Sequence, residues 1–171
     1  GITGLYSYQN DQSTANLVYA ESFPNDITSY YNAAQAQVSI PSYQFSRTDL
    51  ISVMLRLNYS FKQKYLLTFT GRKDGYSGFG VDDKWGDFGT VAAAWILSKE
   101  NFFPMKDLFN FFKLRFSYGS NGNQAVAPYQ SIAKFREENY VDGATSLAGY
   151  VPDNLANPLL GWETSRSTNY G

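Results

Sequence analysis

From Thr48 to Lys73 the chain reads TDLISVMLRLNYSFKQKYLLTFTGRK. Ile51, Val53, Leu55, Leu57, Tyr59 and Phe61 alternate with Ser52, Met54, Arg56, Asn58 and Ser60. A period of two is what a β-strand produces, because successive side chains point to opposite faces. Lys62, Gln63 and Lys64 are too polar to bury and predict a turn. Beyond it Tyr65, Leu67 and Phe69 share one face, and Leu66, Thr68, Thr70 and Arg72 the other. Two strands of about ten residues, with aromatic residues crowding the turn between them, have the dimensions of a transmembrane β-hairpin.

The same alternation, carried along the chain, predicts strands at about 1–9, 49–61, 65–73, 86–97, 111–119 and 162–171. Between them lie three long connections, 10–47, 74–85 and 120–161, rich in Gly, Asn, Asp and Ser, with a turn at Phe23-Pro24-Asn25-Asp26 and a further short strand near Tyr129–Phe135. Residues 98–110 read as a shorter connection with one helical turn, which Ser98 would cap and Pro104 would open. Short and long connections then alternate. An outer-membrane barrel sorts its loops this way, with periplasmic turns short and extracellular loops long. The fold class expected is all-β, an antiparallel transmembrane β-barrel segment. The chain lacks an initiator Met and stops at Asn169-Tyr170-Gly171 inside a predicted strand, so a piece of a longer polypeptide is expected.

Composition narrows the function. Aromatics are 18% of residues, with 14 Tyr and 13 Phe, which suits a membrane interface or a sugar-binding surface. A net charge of −1 gives no electrostatic case for nucleic acid. Cys and His are both absent, so disulfides, thiolate chemistry and the commonest general base and zinc ligand are excluded. No apolar run approaches the roughly 18 residues of a transmembrane helix, but barrel strands bury only alternate residues in lipid and escape that test.

No phosphate loop or catalytic triad appears, so neither an enzyme nor a cofactor is expected. Asp82, Asp83 and Asp87 lack the spacing of a calcium loop and read as a solvated turn. Arg56, Asn58, Arg72, Lys113 and Arg115 fall on the polar faces. An Arg or Lys facing lipid at mid-bilayer costs about 2–4 kcal/mol, so in a barrel these residues face the lumen. Leu55, Leu57, Tyr59, Phe61, Tyr65, Trp95 and Phe112 fall on the opposite faces as lipid-facing or girdle positions. A solvated face of a soluble sheet alternates in the same way. Tyr30, Tyr31, Tyr76 and Trp85 sit in the long connections, where they would pack the loops or meet a substrate or partner.

Several motifs carry a resemblance. They are Arg56-Leu57-Asn58-Tyr59-Ser60-Phe61 with Lys64-Tyr65-Leu66-Leu67, Arg72 to Phe79 (RKDGYSGF), and Ala92-Ala93-Ala94-Trp95 with Leu97-Ser98-Lys99-Glu100. Lys113 to Gly119 (KLRFSYG) with Asn121-Gly122-Asn123, and Leu155-Ala156-Asn157-Pro158 with Trp162-Glu163-Thr164, complete the set. In order and spacing the chain resembles the C-terminal barrel region of SusC-like (RagA-like) TonB-dependent outer-membrane transporters of Bacteroidetes. It departs from them at Tyr76 and at Gly89-Thr90, where the family usually carries Ser and Pro-Ser. The resemblance implies part of a large barrel of about 22 strands with a plugged lumen. It also implies uptake of oligosaccharides or peptides, a SusD-like surface lipoprotein over the mouth, and TonB acting through a plug outside this chain. A secreted glycan-binding β-sandwich and a passive porin-type barrel are the alternatives.

Overall fold

The computed structural model describes residues 1–25, 27, 29–105 and 108–171; the side chains of Ser29 and Tyr30 lie outside that description. The chain is almost entirely antiparallel β. In order the strands are β1 (Ile2–Glu21), β2 (Val38–Phe61), β3 (Tyr65–Tyr76), β4 (Trp85–Ile96), β5 (Lys113–Asn123), β6 (Lys134–Asp142), β7 (Thr145–Asn154) and β8 (Glu163–Tyr170). Six of them form one sheet in the order β1-β2-β3-β4-β5-β8, and β6 pairs with β7 in a separate hairpin.

The chain divides into two units. The larger comprises Gly1–Gln9 and Asp49–Gly171. Here Gly1 exchanges backbone hydrogen bonds with Asn58, and β2 to β5 run in unbroken register. The β2–β3 turn carries Lys62 and Gln63 in the left-handed region, at φ 50° and 55°. Lys64 N donates to Phe61 O across it at 3.0 Å. The smaller unit, Asn10–Thr48, holds the rest of β1 and β2 and a kinked 3-10 segment, Ser29–Gln35.

Several expected boundaries move. Residues 10–47 are not one irregular connection, because β1 continues to Glu21 and β2 begins at Val38. Polar residues such as Gln12, Ser13 and Thr14 hide that stretch: a strand with solvent on both faces needs no apolar alternation. Residues 120–161 contain the β6–β7 hairpin, whose register is broken by an irregularity at Lys134/Phe135. The short strand expected from Tyr129 starts only at Lys134, and Tyr129 itself has φ 63°.

The link between β4 and β5 begins with a 3-10 turn, Leu97–Lys99, that contains Ser98 rather than being capped by it. That link is longer than the one between β3 and β4, so connection length does not alternate as expected. Asp82 and Asp83 lie in the loop before β4, and Asp87 lies within β4.

Candidate functional site

The register decides which side chains share a face. Leu55 lies opposite Gly71, Leu57 opposite Phe69, Tyr59 opposite Leu67 and Phe61 opposite Tyr65. Tyr65 then lies opposite Trp95, Leu67 opposite Ala93 and Phe69 opposite Val91. Val91, Ala93 and Trp95 meet Tyr118, Phe116 and Leu114. Directly paired residues project to the same side of a sheet, so these side chains make one apolar face.

A sandwich would bury that face under a second sheet. Here Leu55 is 52% and Leu57 40% exposed, and Phe69, Val91 and Phe116 are also exposed. Exposed apolar surface of this extent needs a non-aqueous partner. The face carries no charge from Gly89 and its partners to Trp95 and its partners. Its first charged groups are Arg166 of β8, opposite Ser120, and then Lys73 and Asp87, a 3.5 Å ion pair, with Trp85 one step farther along β4.

Trp85 and Trp95 thus mark the two ends of one strand on one face. Trp85 lies across Gly75, its register partner, so close that a Cβ there would sit 2.7 Å from the indole. Trp85 therefore belongs to the strand face rather than to a loop as expected. Tyr8 Oη donates to Asp49 Oδ1 at 2.7 Å near the same end.

At the opposite end the rings of Phe61, Tyr65, Trp95 and Phe102 follow one another with centroids 6.3, 6.0 and 6.2 Å apart. Beneath them Glu100, which the sequence pattern did not single out, gathers three donors. Lys64 Nζ and Tyr65 Oη each donate at 2.9 Å, and Trp95 Nε1 at 3.2 Å. These bonds, that from Lys64 foremost, lower the Glu100 carboxyl from 4.5 to about 2.

Phe112, expected in the girdle, lies one residue before β5 and stacks on Phe103 at 5.7 Å, with Phe109 edge-on to it at 5.9 Å.

A carboxyl depressed on folding stabilises above its unfolded value, and that contribution is lost as pH falls through the folded value. The clamp should therefore be intact above about pH 4.5 and dissolve toward pH 2. Trp95 fluorescence in the full-length protein should shift across that window. Glu100→Gln should abolish the shift, and a shift that persists in this variant would refute the clamp.

The other face is polar. Arg56 Nε donates to Thr70 Oγ1 at 3.2 Å, and Thr68 Oγ1 donates to Asn58 Oδ1 at 3.0 Å. Arg72 Nε donates to Asp74 Oδ1 at 2.7 Å, and its Nη2 to Ser52 Oγ at 3.2 Å. Arg115 lies opposite Ala94 and Lys113 opposite Ile96. Arg56, Asn58, Arg72, Lys113 and Arg115 therefore share one face, opposite to Leu55, Leu57, Tyr59, Phe61, Tyr65 and Trp95.

Of the two roles expected for Tyr76, packing is the one it takes: it is buried, with its ring edge-on to Phe79 at 5.0 Å. Phe79, 1% exposed, also meets Trp162 at 5.1 Å, and Trp162 meets Phe88 at 5.4 Å. Gly80 N donates to Leu160 O at 2.7 Å, and Trp162 Nε1 to Lys84 O at 3.1 Å. Two motifs some eighty positions apart, at Arg72–Gly80 and Leu155–Trp162, thus form one knot. Tyr31 is exposed, and the Tyr30 side chain lies outside the described residues.

No family model matches the chain. It is 38% identical over 171 residues to TonB-dependent receptor P3 of Formosa agariphila, covering 99% of this chain and 17% of that protein. The chain belongs to the SusC-like TonB-dependent receptor family. TonB-dependent receptor P26 of the same organism is 36% identical over 97% of this chain and 17% of that protein. TonB-dependent receptor SusC of Bacteroides thetaiotaomicron is 41% identical over 74% of this chain and 13% of its own length.

As a receptor segment the chain spans about 17% of the length of the first two of these relatives. Its fold is that of the RagAB peptide transporter structure, with a TM-score of 0.75 at 23% identity, over 99% of this chain and 19% of that one. The RagAB peptide importer in the open-open state gives a TM-score of 0.73 at 23% identity, over the same shares. The receptor's open sheet is accordingly part of a barrel wall.

Proposed function

We propose that this chain is part of the wall of an outer-membrane TonB-dependent transporter that takes up oligosaccharides or peptides. In this reading its apolar face meets lipid and its polar face lines the lumen. The observation that carries the reading is the uncharged, exposed strip framed by aromatic residues on one face. At about 3.3 Å per residue, Trp85 and Trp95 are roughly 33 Å apart along β4. A strand tilt of about 40° reduces this to about 25 Å, the height of a barrel's apolar band between its aromatic girdles.

Tyr59, Phe61, Tyr65 and Trp95 form the girdle at the short-turn end, and Trp85 stands at the other. Lys73 and Asp87 lie just inside Trp85 and bound the uncharged part of the band, which runs from Gly89 to Trp95 on β4. β1 and β2, at 20 and 24 residues, are about twice as long as the 9–11 residues a tilted crossing needs. Their surplus supports an extracellular ribbon. A SusD-like surface lipoprotein over the mouth and TonB pulling on a plug elsewhere in the polypeptide complete the assembly. The chain's residues perform no covalent step. They bind, exclude lipid and guide.

The test is fractionation and energy dependence of the full-length protein in its own host. It should fractionate with the outer membrane and require detergent, and uptake of its substrate should stop when TonB is inactivated. Uptake that continues without TonB would identify a passive pore. Release without detergent would identify a soluble module.

A further inference from the structure

The polar face carries more cations than anions. Its cations are Arg56, Arg72, Lys113 and Arg115, and its carboxylates from β2 to β8 among the described residues are Asp74 and Glu163, both at the end away from Lys113, with Glu163 accepting from Asn123 at 3.0 Å. Asp74 is spent on Arg72 at 2.7 Å. No carboxylate pairs with Arg56, Lys113 or Arg115 among the described residues; Arg56 has Thr70.

The register also sets their heights. Arg72 lies level with Phe88, Arg56 with Thr70 and so Thr90, Arg115 with Ala94 and Lys113 with Ile96. The four cations therefore descend one face over eight residues, about 26 Å at about 3.3 Å per residue. Two hollows follow the same line. One of 270 Å³ is lined by Arg56, Thr70, Arg72 and Thr90, and one of 460 Å³ by Thr68, Lys113, Arg115 and Ser117. Thr70 and Thr90 flank Arg56, while Lys113 and Arg115 have Thr68 and Ser117 among apolar neighbours such as Leu66, Ala92 and Ala94; hydroxyls with guanidinium groups are the donors that carboxylates and sulfates take.

We infer that this wall is a cationic ladder for an anionic permeant, a chain bearing carboxylate or sulfate groups at intervals. This rests on the polar face lining the lumen. Rows of Arg and Lys select anions in pores, and low-dielectric walls focus their field. Arg72, neutralised by Asp74, holds the entrance end in shape, while Arg56, Arg115 and Lys113 offer successive charges. The ligand hops between them instead of being trapped on one. The competing source of negative charge is the protein's own polypeptide outside this chain, and the experiment separates the two.

The experiment measures binding to the detergent-solubilised full-length protein by calorimetry. Three probes of equal length are compared: an oligogalacturonate hexamer, a hexaglutamate peptide and maltohexaose. A polyanion should bind at least about tenfold more tightly than maltohexaose. Raising salt from about 50 to about 500 mM should remove most of that advantage. Preference for oligogalacturonate over hexaglutamate assigns a glycan, and the reverse assigns a peptide.

The variant Arg56→Gln/Lys113→Gln/Arg115→Gln should lose about tenfold toward the polyanion and leave maltohexaose unchanged. Arg56→Lys/Arg115→Lys should retain polyanion binding, and Lys62→Gln/Lys99→Gln, at the turn end, should match the wild type. Equal binding of charged and neutral probes, or an unchanged affinity in the triple variant, overturns the inference. So does a triple variant that no longer assembles while the double Lys variant does, because the cations are then satisfied within the protein. TonB-dependent uptake is a separate measurement, so its loss would count against the transport reading and not against the ladder.

Discussion

Leu57→Arg, and equally Leu55→Arg, should stop the full-length protein from reaching a folded, heat-modifiable form in the outer membrane, while Asn58→Arg should assemble as the wild type does. The three positions are near neighbours on β2, and the substituted side chain is the same. Only the face differs. Leu57 pairs with Phe69 and Leu55 with Gly71, in rows midway between those of Trp85 and Trp95. An Arg facing lipid there costs about 2–4 kcal/mol. That is a large fraction of a stability of about 5–15 kcal/mol, and it falls on insertion, before the rest of the wall has closed. Asn58 pairs with Thr68 and lies on the face that already holds Arg56. A new Arg there meets hydroxyls and water. The measurement is electrophoretic mobility of unheated against heated outer membranes. Equal assembly of all three variants would remove the lipid assignment of the apolar face.

The second large effect is expected at the knot between the β3–β4 loop and the segment before β8. Phe79→Ala deletes a ring that is 1% exposed and touches both Tyr76 and Trp162. Truncating a buried Phe costs about 3–5 kcal/mol. Gly80→Ala reaches the same knot by a different route. A Cβ at Gly80 would lie 1.9 Å from the Pro158 carbonyl oxygen, which is backbone and cannot rotate aside. The bond from Gly80 N to Leu160 O would have to break. Both variants should still assemble, since the transmembrane register is untouched. Both should open 155–162 to a protease added outside intact cells, whereas the wild type resists. Resistance in both variants would mean the knot does not hold this segment.

Much of the wall was legible residue by residue. In β2 and β3, where one face is polar and the other apolar, alternation alone assigned Arg56, Asn58 and Arg72 to one side and Leu55, Leu57, Tyr59, Phe61 and Tyr65 to the other. The register keeps those two sets apart. The pattern was silent on β4, where Val91–Trp95 and Thr90–Ala94 are both small or apolar. It misread Trp85 and Tyr76 as loop residues, because a strand's first and last residues look like turn from the sequence. Glu100 stood in a quoted motif without a role. A carboxylate that receives bonds from Lys64, Tyr65 and Trp95 is visible only when three elements meet.

The sequence by itself determined that the chain alternates with period two, that its charges and its grease part onto opposite faces, and that no Cys or His chemistry is available. These are local properties, because successive Cβ atoms in a strand point to opposite sides whatever the strand pairs with. Only the tertiary structure decided where strands end, which aromatics level with which, and that Phe79 and Trp162 close one knot across eighty positions. Those depend on register and on contacts between residues far apart in sequence. A polar strand such as residues 10–21 becomes a strand because its neighbour supplies hydrogen bonds, not because its own side chains demand it.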